Sequence, residues 1–149
     1  MSATAGGDAT EVLLPRPVLD AIQAHALETF PEECCGFLLG QEAGPVRRVT
    51  EGLRARNVHP EMRESRYTID PREVLEVDRR FRGTATGILG FYHSHPGYPA
   101  EPSAFDRERA WPWYVYLILA VPREGPCEAT AWSLDPARET LRPVLLRLL

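Results

Sequence analysis

Lysine is missing altogether from these 149 residues, and all 17 basic side chains are arginine. Codon bias in a GC-rich genome accounts for that choice without any function. Positive charge is not in excess either. Twenty-one acidic residues leave a formal net charge of -4 and a pI near 5.6, which excludes a protein held on nucleic acid or an anionic membrane by bulk charge. Cysteine is scarce: Cys34 and Cys35 are adjacent and Cys127 is left over, so neither a disulfide framework nor a C-x-x-C metal or redox motif can be drawn. Long hydrophobic runs are also missing, the longest, Trp113 to Val121, being far too short to cross a bilayer. Met1 to Thr10 has neither a charged n-region nor an apolar h-region, which predicts a flexible terminus over residues 1–10 rather than a signal peptide. These absences together point to a cytoplasmic protein. There is no internal repeat or low-complexity segment, and residues 11–149 read as a single domain, long enough to bury about 70% of its unfolded surface.

What is present is an alternation of helical and strand patterns. Val18, Ile22, Ala26 and Phe30 repeat at helical spacing and predict a helix over Pro15 to Phe30, closed by Pro31. His25, beside that stripe, reads as a packing or surface residue, and His59 as a structural or exposed one. Glu33 to Leu39 is apolar on both sides and predicts a central strand, with Glu33 sharing a face with Cys35, Phe37 and Leu39. Strands are expected over 46–50 and 53–58 around a Glu51-Gly52 turn, and a short one over Tyr67 to Asp70. A helix over Pro71 to Arg82 turns Val74, Leu75, Val77 and Phe81 inward and ends at Gly83. Between Arg47 and Arg66 lie six arginines against three glutamates, a solvated face or a docking patch. Thr86 to Tyr92, Trp113 to Val121, Glu128 to Leu134 and Thr140 to Leu148 read as further strands, the last at an edge because Pro143 interrupts it. The pattern predicts an α/β fold with a mixed sheet sandwiched by helices.

The residues that carry chemistry lie between Gly90 and Asp106. His93 and His95 stand two apart on extended chain and so share a face, while Ser94 points to the other. Pro96-Gly97-Tyr98-Pro99 must turn. Ser103 to Ala110 reads as a short helix whose Ser103 and Asp106 form an S-x-x-D capping pattern. Alone, that pattern is a structural cap, and a lone H-x-H is seldom a metal pair. Two co-facial histidines, a reversing turn and a carboxylate in the next helical turn supply three ligands together. Three protein ligands leave zinc a fourth position for water, the arrangement of catalytic sites. His93, His95 and Asp106 are therefore the candidate ligands of one Zn2+ per chain.

The arrangement H-x-H-x(7)-S-x(2)-D, met at every position by His93, His95, Ser103 and Asp106, resembles the signature of the JAMM (MPN+) zinc metalloproteases, in their compact bacterial or archaeal type. The resemblance reaches upstream to Pro31 to Gly40 (P-E-E-C-C-G-F-L-L-G), which is similar to the family's E-x-C-G strand, and covers roughly residues 15 to 134. It implies the cytidine-deaminase-like JAMM/MPN fold, although the deaminase H-x-E with P-C-x-x-C signature is absent. It also implies a peptidase or isopeptidase that cuts after the C-terminal glycines of a ubiquitin-like protein or ubiquitin-like sulfur carrier. Zinc lowers the pKa of its water to about 7. Glu33, selected over Glu32 by counting back from Cys35-Gly36, is the implied base that takes the water's proton and passes it to the leaving amine. Ser103 is the implied oxyanion donor, its hydroxyl keeping two lone pairs for capping.

The implied partner is a carrier with a Gly-Gly tail, because glycine has no Cβ to collide with a narrow cleft walled by Pro96 to Pro99. Lysine's absence gains a second reading here, since a protein that handles such tags offers no side-chain amine to be tagged. The alternative is a non-catalytic MPN-type binding or scaffold module. Such modules usually lack part of the metal set, and the complete set here weighs against one. Neither nucleic acid nor membrane is an expected partner.

Overall fold

The computed structural model describes residues 8–149. Residues 1–7, most of the stretch expected to be flexible, lie outside the described residues. Within residues 8–10, Ala9 is buried, the Thr10 amide donates to the Pro45 carbonyl (2.8 Å), and the Thr10 carbonyl accepts from the Leu145 amide (3.1 Å).

The elements run β1 (Glu11–Leu14), α1 (Arg16–Thr29), β2 (Cys35–Ala43), β3 (Val46–Ala55), α2 (Pro71–Phe81), β4 (Gly87–Pro96), α3 (Ala104–Arg109), β5 (Val115–Val121), β6 (Glu128–Asp135) and β7 (Thr140–Leu148). β4 lies between β2, which it meets antiparallel, and β5, which it meets parallel. β3, β6 and β7 extend the sheet antiparallel on either side. β1 then runs parallel to both β3 and β7 and joins the two ends into a closed barrel. The mixed sheet is as expected, but its edges are joined rather than left open between two helical layers.

No strand was expected over Glu11–Leu14, since four residues are too few to carry an alternating pattern. The state of β1 comes from its two neighbours across the barrel. Closure also removes the edge expected at β7, which is paired on both sides. Pro143 is tolerated because β1 reaches β7 only from Leu145 onward, so the missing amide falls where β7 has β6 alone beside it.

The doubly apolar strands are explained by two cores. Val115, Leu117, Leu119 and Val121 of β5 join a cluster to which all seven strands contribute, and Leu19, Ile22 and Ala26 of α1 pack into it. Those three helical positions are three and four apart; Phe30 lies beyond the helix as its C-cap and is partly exposed. On the opposite face, Phe37, Leu39, Phe91 and Tyr116 pack with Val77 of α2, flanked by Val74 and Phe81. Leu75, expected to turn inward, is exposed. The Glu51-Gly52 pair does not turn: β3 runs straight through it, with Gly52 opposite Leu38 and against Ile22 and Val18 of α1. Residues 67–70 form no strand. No helix among the described residues is long and apolar enough to cross a membrane.

Gly90 lies against the neighbouring strand, a Cβ there falling 1.8 Å from the Val115 carbonyl oxygen. That obstacle is backbone and cannot rotate away. Gly90→Ala is expected to cost about 3 kcal/mol or more, read as a lowered urea midpoint; an unchanged midpoint would contradict this β4–β5 approach.

Candidate active site

β4 delivers His93 and His95 from one face at its C-terminal end, both buried. Ser94 faces the other way, where its Oγ accepts from the Cys34 amide (2.8 Å) and its own amide donates to the Cys34 carbonyl (3.2 Å). The chain then turns at Gly97, whose φ of 79° suits glycine, and the Gly97 amide donates to the Val121 carbonyl (2.8 Å). It returns to α3 through a reciprocal capping box. The Asp106 amide donates to Ser103 Oγ (3.1 Å), and the Ser103 amide donates to Asp106 Oδ2 (2.9 Å).

The cap aims Asp106 at the histidines. Its Oδ2 lies 3.3 Å from both His93 Nε2 and His95 Nε2, which are themselves 3.1 Å apart. Four-coordinate zinc with bonds of about 2.0–2.1 Å holds its ligand atoms about 3.3 Å apart, so this nearly equilateral triangle has the size of one face of such a tetrahedron. The donor chemistry agrees. His95 Nδ1 lies 2.6 Å from the Pro99 carbonyl, which can only accept. Nδ1 therefore carries a proton, which leaves Nε2 as the ring atom that would turn a lone pair toward a metal. Burial works against ionising Asp106, but its bonds to His93 and His95 outweigh that and hold its carboxyl well below the usual range. Among the described residues this is the one cluster of three such side chains able to hold a metal. The residues present fit a divalent, zinc-sized cation.

Glu33 precedes β2 rather than lying on it, because the strand begins at Cys35. It is 1% exposed, whereas Glu32 lies at the surface beside Arg63 (3.4 Å). The Glu33 amide donates to the Arg63 carbonyl (2.7 Å), its carbonyl accepts from Asn57 Nδ2 (3.1 Å), and its Oε2 accepts from the Tyr98 hydroxyl. Oε1 is buried without a hydrogen-bond partner among the described residues. Burial pushes the Glu33 carboxyl upward, against the opposing pull of His93 and the Tyr98 bond. The two carboxyl groups are thus moved in opposite directions, Asp106 downward and Glu33 upward.

Three contributors escape a reading by motif. Tyr67 stacks on His93 with ring centroids 4.5 Å apart, and Tyr98 stacks on His95 at 4.2 Å. Asn57 bridges the segment over Glu33: besides Glu33 it donates to the Arg66 carbonyl (3.0 Å), and its Oδ1 accepts from the amides of His59 (3.1 Å) and Thr68 (3.2 Å). Its one sequence signal is that it is the only asparagine in the chain.

The other histidines have structural partners, His25 bonding the Tyr92 hydroxyl (2.8 Å) and His59 bonding Thr68 Oγ1 (3.0 Å) while its ring edge meets Phe105. The arginines from 47 to 66 lie in different surroundings. Arg47 is buried and donates to the Gly44 carbonyl, Arg54 pairs with Glu28 and Arg63 with Glu32. Arg66 alone joins a basic group near the site, stacked with Arg109 on Phe105.

Comparison with known proteins places these features in context. A family described as prokaryotic homologs of the JAB domain matches residues 15–135. The chain is 40% identical over 125 residues to a desampylase of Haloferax volcanii, covering 80% of this chain and 86% of that one. It is 32% identical over 106 residues to a protein of Thermus thermophilus named as a probable TtuB-protein conjugate cleaving protease, covering 71% and 67%. A solution structure from Desulfitobacterium hafniense superposes with a TM-score of 0.81 at 27% identity, over 93% of this chain and 92% of that one.

Asn57→Ala removes partners from four backbone groups that water replaces only in part. It is expected to cost about 2–3 kcal/mol in urea denaturation; a loss below about 0.5 kcal/mol would mean that Asn57 does not hold this segment.

Proposed function

The chain belongs to the family of prokaryotic homologs of the JAB domain, and from that premise we propose that it is a zinc-dependent peptidase or isopeptidase. It cuts after the C-terminal glycines of a ubiquitin-like protein or ubiquitin-like sulfur carrier, on the cytidine-deaminase-like JAMM/MPN fold. The observation that carries this reading is the triangle of His93 Nε2, His95 Nε2 and Asp106 Oδ2, with edges of 3.1 to 3.3 Å. The named activities of the Haloferax and Thermus relatives support it.

His93, His95 and Asp106 hold the zinc, which when bound supplies Lewis acidity and lowers the pKa of a coordinated water to about 7. Glu33 accepts a proton as the water oxygen bonds to the scissile carbonyl carbon. As the carbon–nitrogen bond breaks, Glu33 returns that proton to the leaving amine, so no proton is lost between steps. Ser103 Oγ already accepts from the Asp106 amide, and its own proton is free to donate to the oxygen that gains charge.

A protein partner needs more than a cleft. A groove of about 760 Å³ runs from Tyr67 past Ile69 and Val74 to Trp111 and Trp113. Those two indoles are 56% and 66% exposed and stack on each other at 5.8 Å. The Trp111 amide donates to the Tyr116 hydroxyl (2.7 Å), which ties the backbone at Trp111 to β5. Tyr67 links the groove to His93. Exposed, stacked tryptophans of this kind suit the apolar face of a folded carrier, and Arg66 and Arg109 on Phe105 add a basic rim.

Metal analysis should find one zinc per chain, lost on His95→Ala or Asp106→Ala. Glu33→Gln should retain it while turnover falls on the order of 100- to 10,000-fold, and Ser103→Ala should retain it at a cost of roughly 100- to 1,000-fold. Full occupancy in the ligand variants would refute the ligand assignment.

Substrate preference is read by mass spectrometry on a carrier fusion ending Gly-Gly-X, its Ala-Ala-X counterpart and the free tail peptide. The first should be cut fastest. Changing Trp111 and Trp113 together to Ala should raise KM for the fusion about tenfold or more and leave the free peptide unaffected. Equal rates on all three substrates would leave a general peptidase without a folded partner.

A further inference from the structure

Glu33 is held at its backbone, but nothing in that backbone decides which carboxylate oxygen exchanges the proton. The two oxygens are not equivalent here. Oε2 accepts from the Tyr98 hydroxyl, while Oε1 is buried and has no hydrogen-bond partner among the described residues. A buried carboxylate oxygen left without a donor is costly and calls for an explanation from function.

Tyr98 is unusually well fixed for a residue in a surface turn. Before it, the Gly97 amide is tied to the Val121 carbonyl at 2.8 Å. After it, the Pro99 carbonyl accepts from His95 Nδ1 at 2.6 Å, and the Ala100 carbonyl accepts from Thr130 Oγ1 at 2.7 Å. Prolines on both sides of the Gly97-Tyr98 pair restrict the remaining torsions. The ring lies on His95 with an interplanar angle of 18°. Its hydroxyl is therefore delivered to Glu33 by the same turn that sets the tautomer of His95.

Resting on the hydrolytic reading above, we infer that Tyr98 is a positioning residue for Glu33: it occupies Oε2, locks the carboxylate plane, and leaves Oε1 as the oxygen that takes and returns the proton. A second torsion of Glu33 would otherwise present either oxygen in several orientations, and a displacement of about 1 Å at a reacting group can cost on the order of 100-fold in rate. Tyr98 thereby couples the ligand side of the site to the base side through one turn.

The test uses Tyr98→Phe, which keeps the ring on His95 and removes only the donor. Expected are a kcat on the carrier fusion lowered about 10- to 100-fold, a KM within about twofold of wild type, and unchanged metal content. A readout independent of turnover is the thermal midpoint of the purified protein as isolated. Tyr98→Phe should lower it by about 2–4 °C when Glu33 is present, and leave it unchanged in a Glu33→Ala background. Normal kcat in Tyr98→Phe, with loss only in Tyr98→Ala, would overturn the inference by reducing Tyr98 to a packing ring. Equal shifts of the midpoint in both backgrounds would overturn it as well, because Tyr98 would then act through some group other than Glu33. If the unmodified protein cleaves no carrier fusion, the functional reading fails, and the thermal comparison still decides whether Tyr98 and Glu33 are coupled.

Discussion

The double hydrogen bond between Ser94 and Cys34 holds the two halves of the site together. Cys35 pairs with His93 in the β2–β4 ladder, and one residue further on the backbone bond from Ser94 to Cys34 continues that pairing. Ser94 Oγ then takes the Cys34 amide, a donor buried beyond the first residue of the strand. A buried amide without an acceptor would cost about 1–3 kcal/mol. Serine between two histidines meets that need from the opposite face of the strand, so the residue that separates His93 from His95 also anchors the segment carrying Glu33. Relative motion of Glu33 and the two histidines would require breaking both bonds.

Around that anchor, rigidity is bought by packing and capping rather than by covalent links. All three cysteines are free. β4 lies between two strands with Gly90 against the Val115 backbone, leaving no room for lateral shift. The capping box of α3 satisfies two helix-terminal donors and in doing so points Asp106 Oδ2 at both imidazoles. One short helix thus caps itself and sets a carboxylate beside both histidines with the same atoms. The opposite displacement of the Asp106 and Glu33 acidities follows from what surrounds each. Asp106 is buried with two imidazoles and an amide on one oxygen, while Glu33 is buried with a single donor.

Much of the site was legible because its parts are close in sequence. Thirteen positions separate His93 from Asp106, and each step between them is a local rule: alternation along a strand, a proline–glycine turn, an N-cap. Glu33 could be chosen over Glu32 by its offset from Cys35-Gly36, although the strand was expected to start at Glu33 and starts at Cys35. Local rules failed where the partner is distant. Tyr98 meets Glu33 across 65 positions, and Asn57 gathers four backbone groups through bonds that no motif encodes. The arginine-rich stretch looked like a patch in one dimension, but β3 carries Arg47 and Arg54 far apart along one strand, each with a separate partner.

Composition, periodicity and spacing by themselves determined the two longer helices to within a residue at each end, the doubly buried strands, and a His93, His95, Asp106 set with Ser103 as cap. Each of these depends on the conformational preferences and side-chain directions of neighbouring residues, which a sequence states directly. Only the tertiary structure decided that the mixed sheet closes through β1, that β7 has no free edge despite Pro143, and that Oε2 of Glu33 is occupied while Oε1 is not. Those outcomes depend on which distant backbone segments come within hydrogen-bonding distance, and that distance is set by the packing of the whole core around β4.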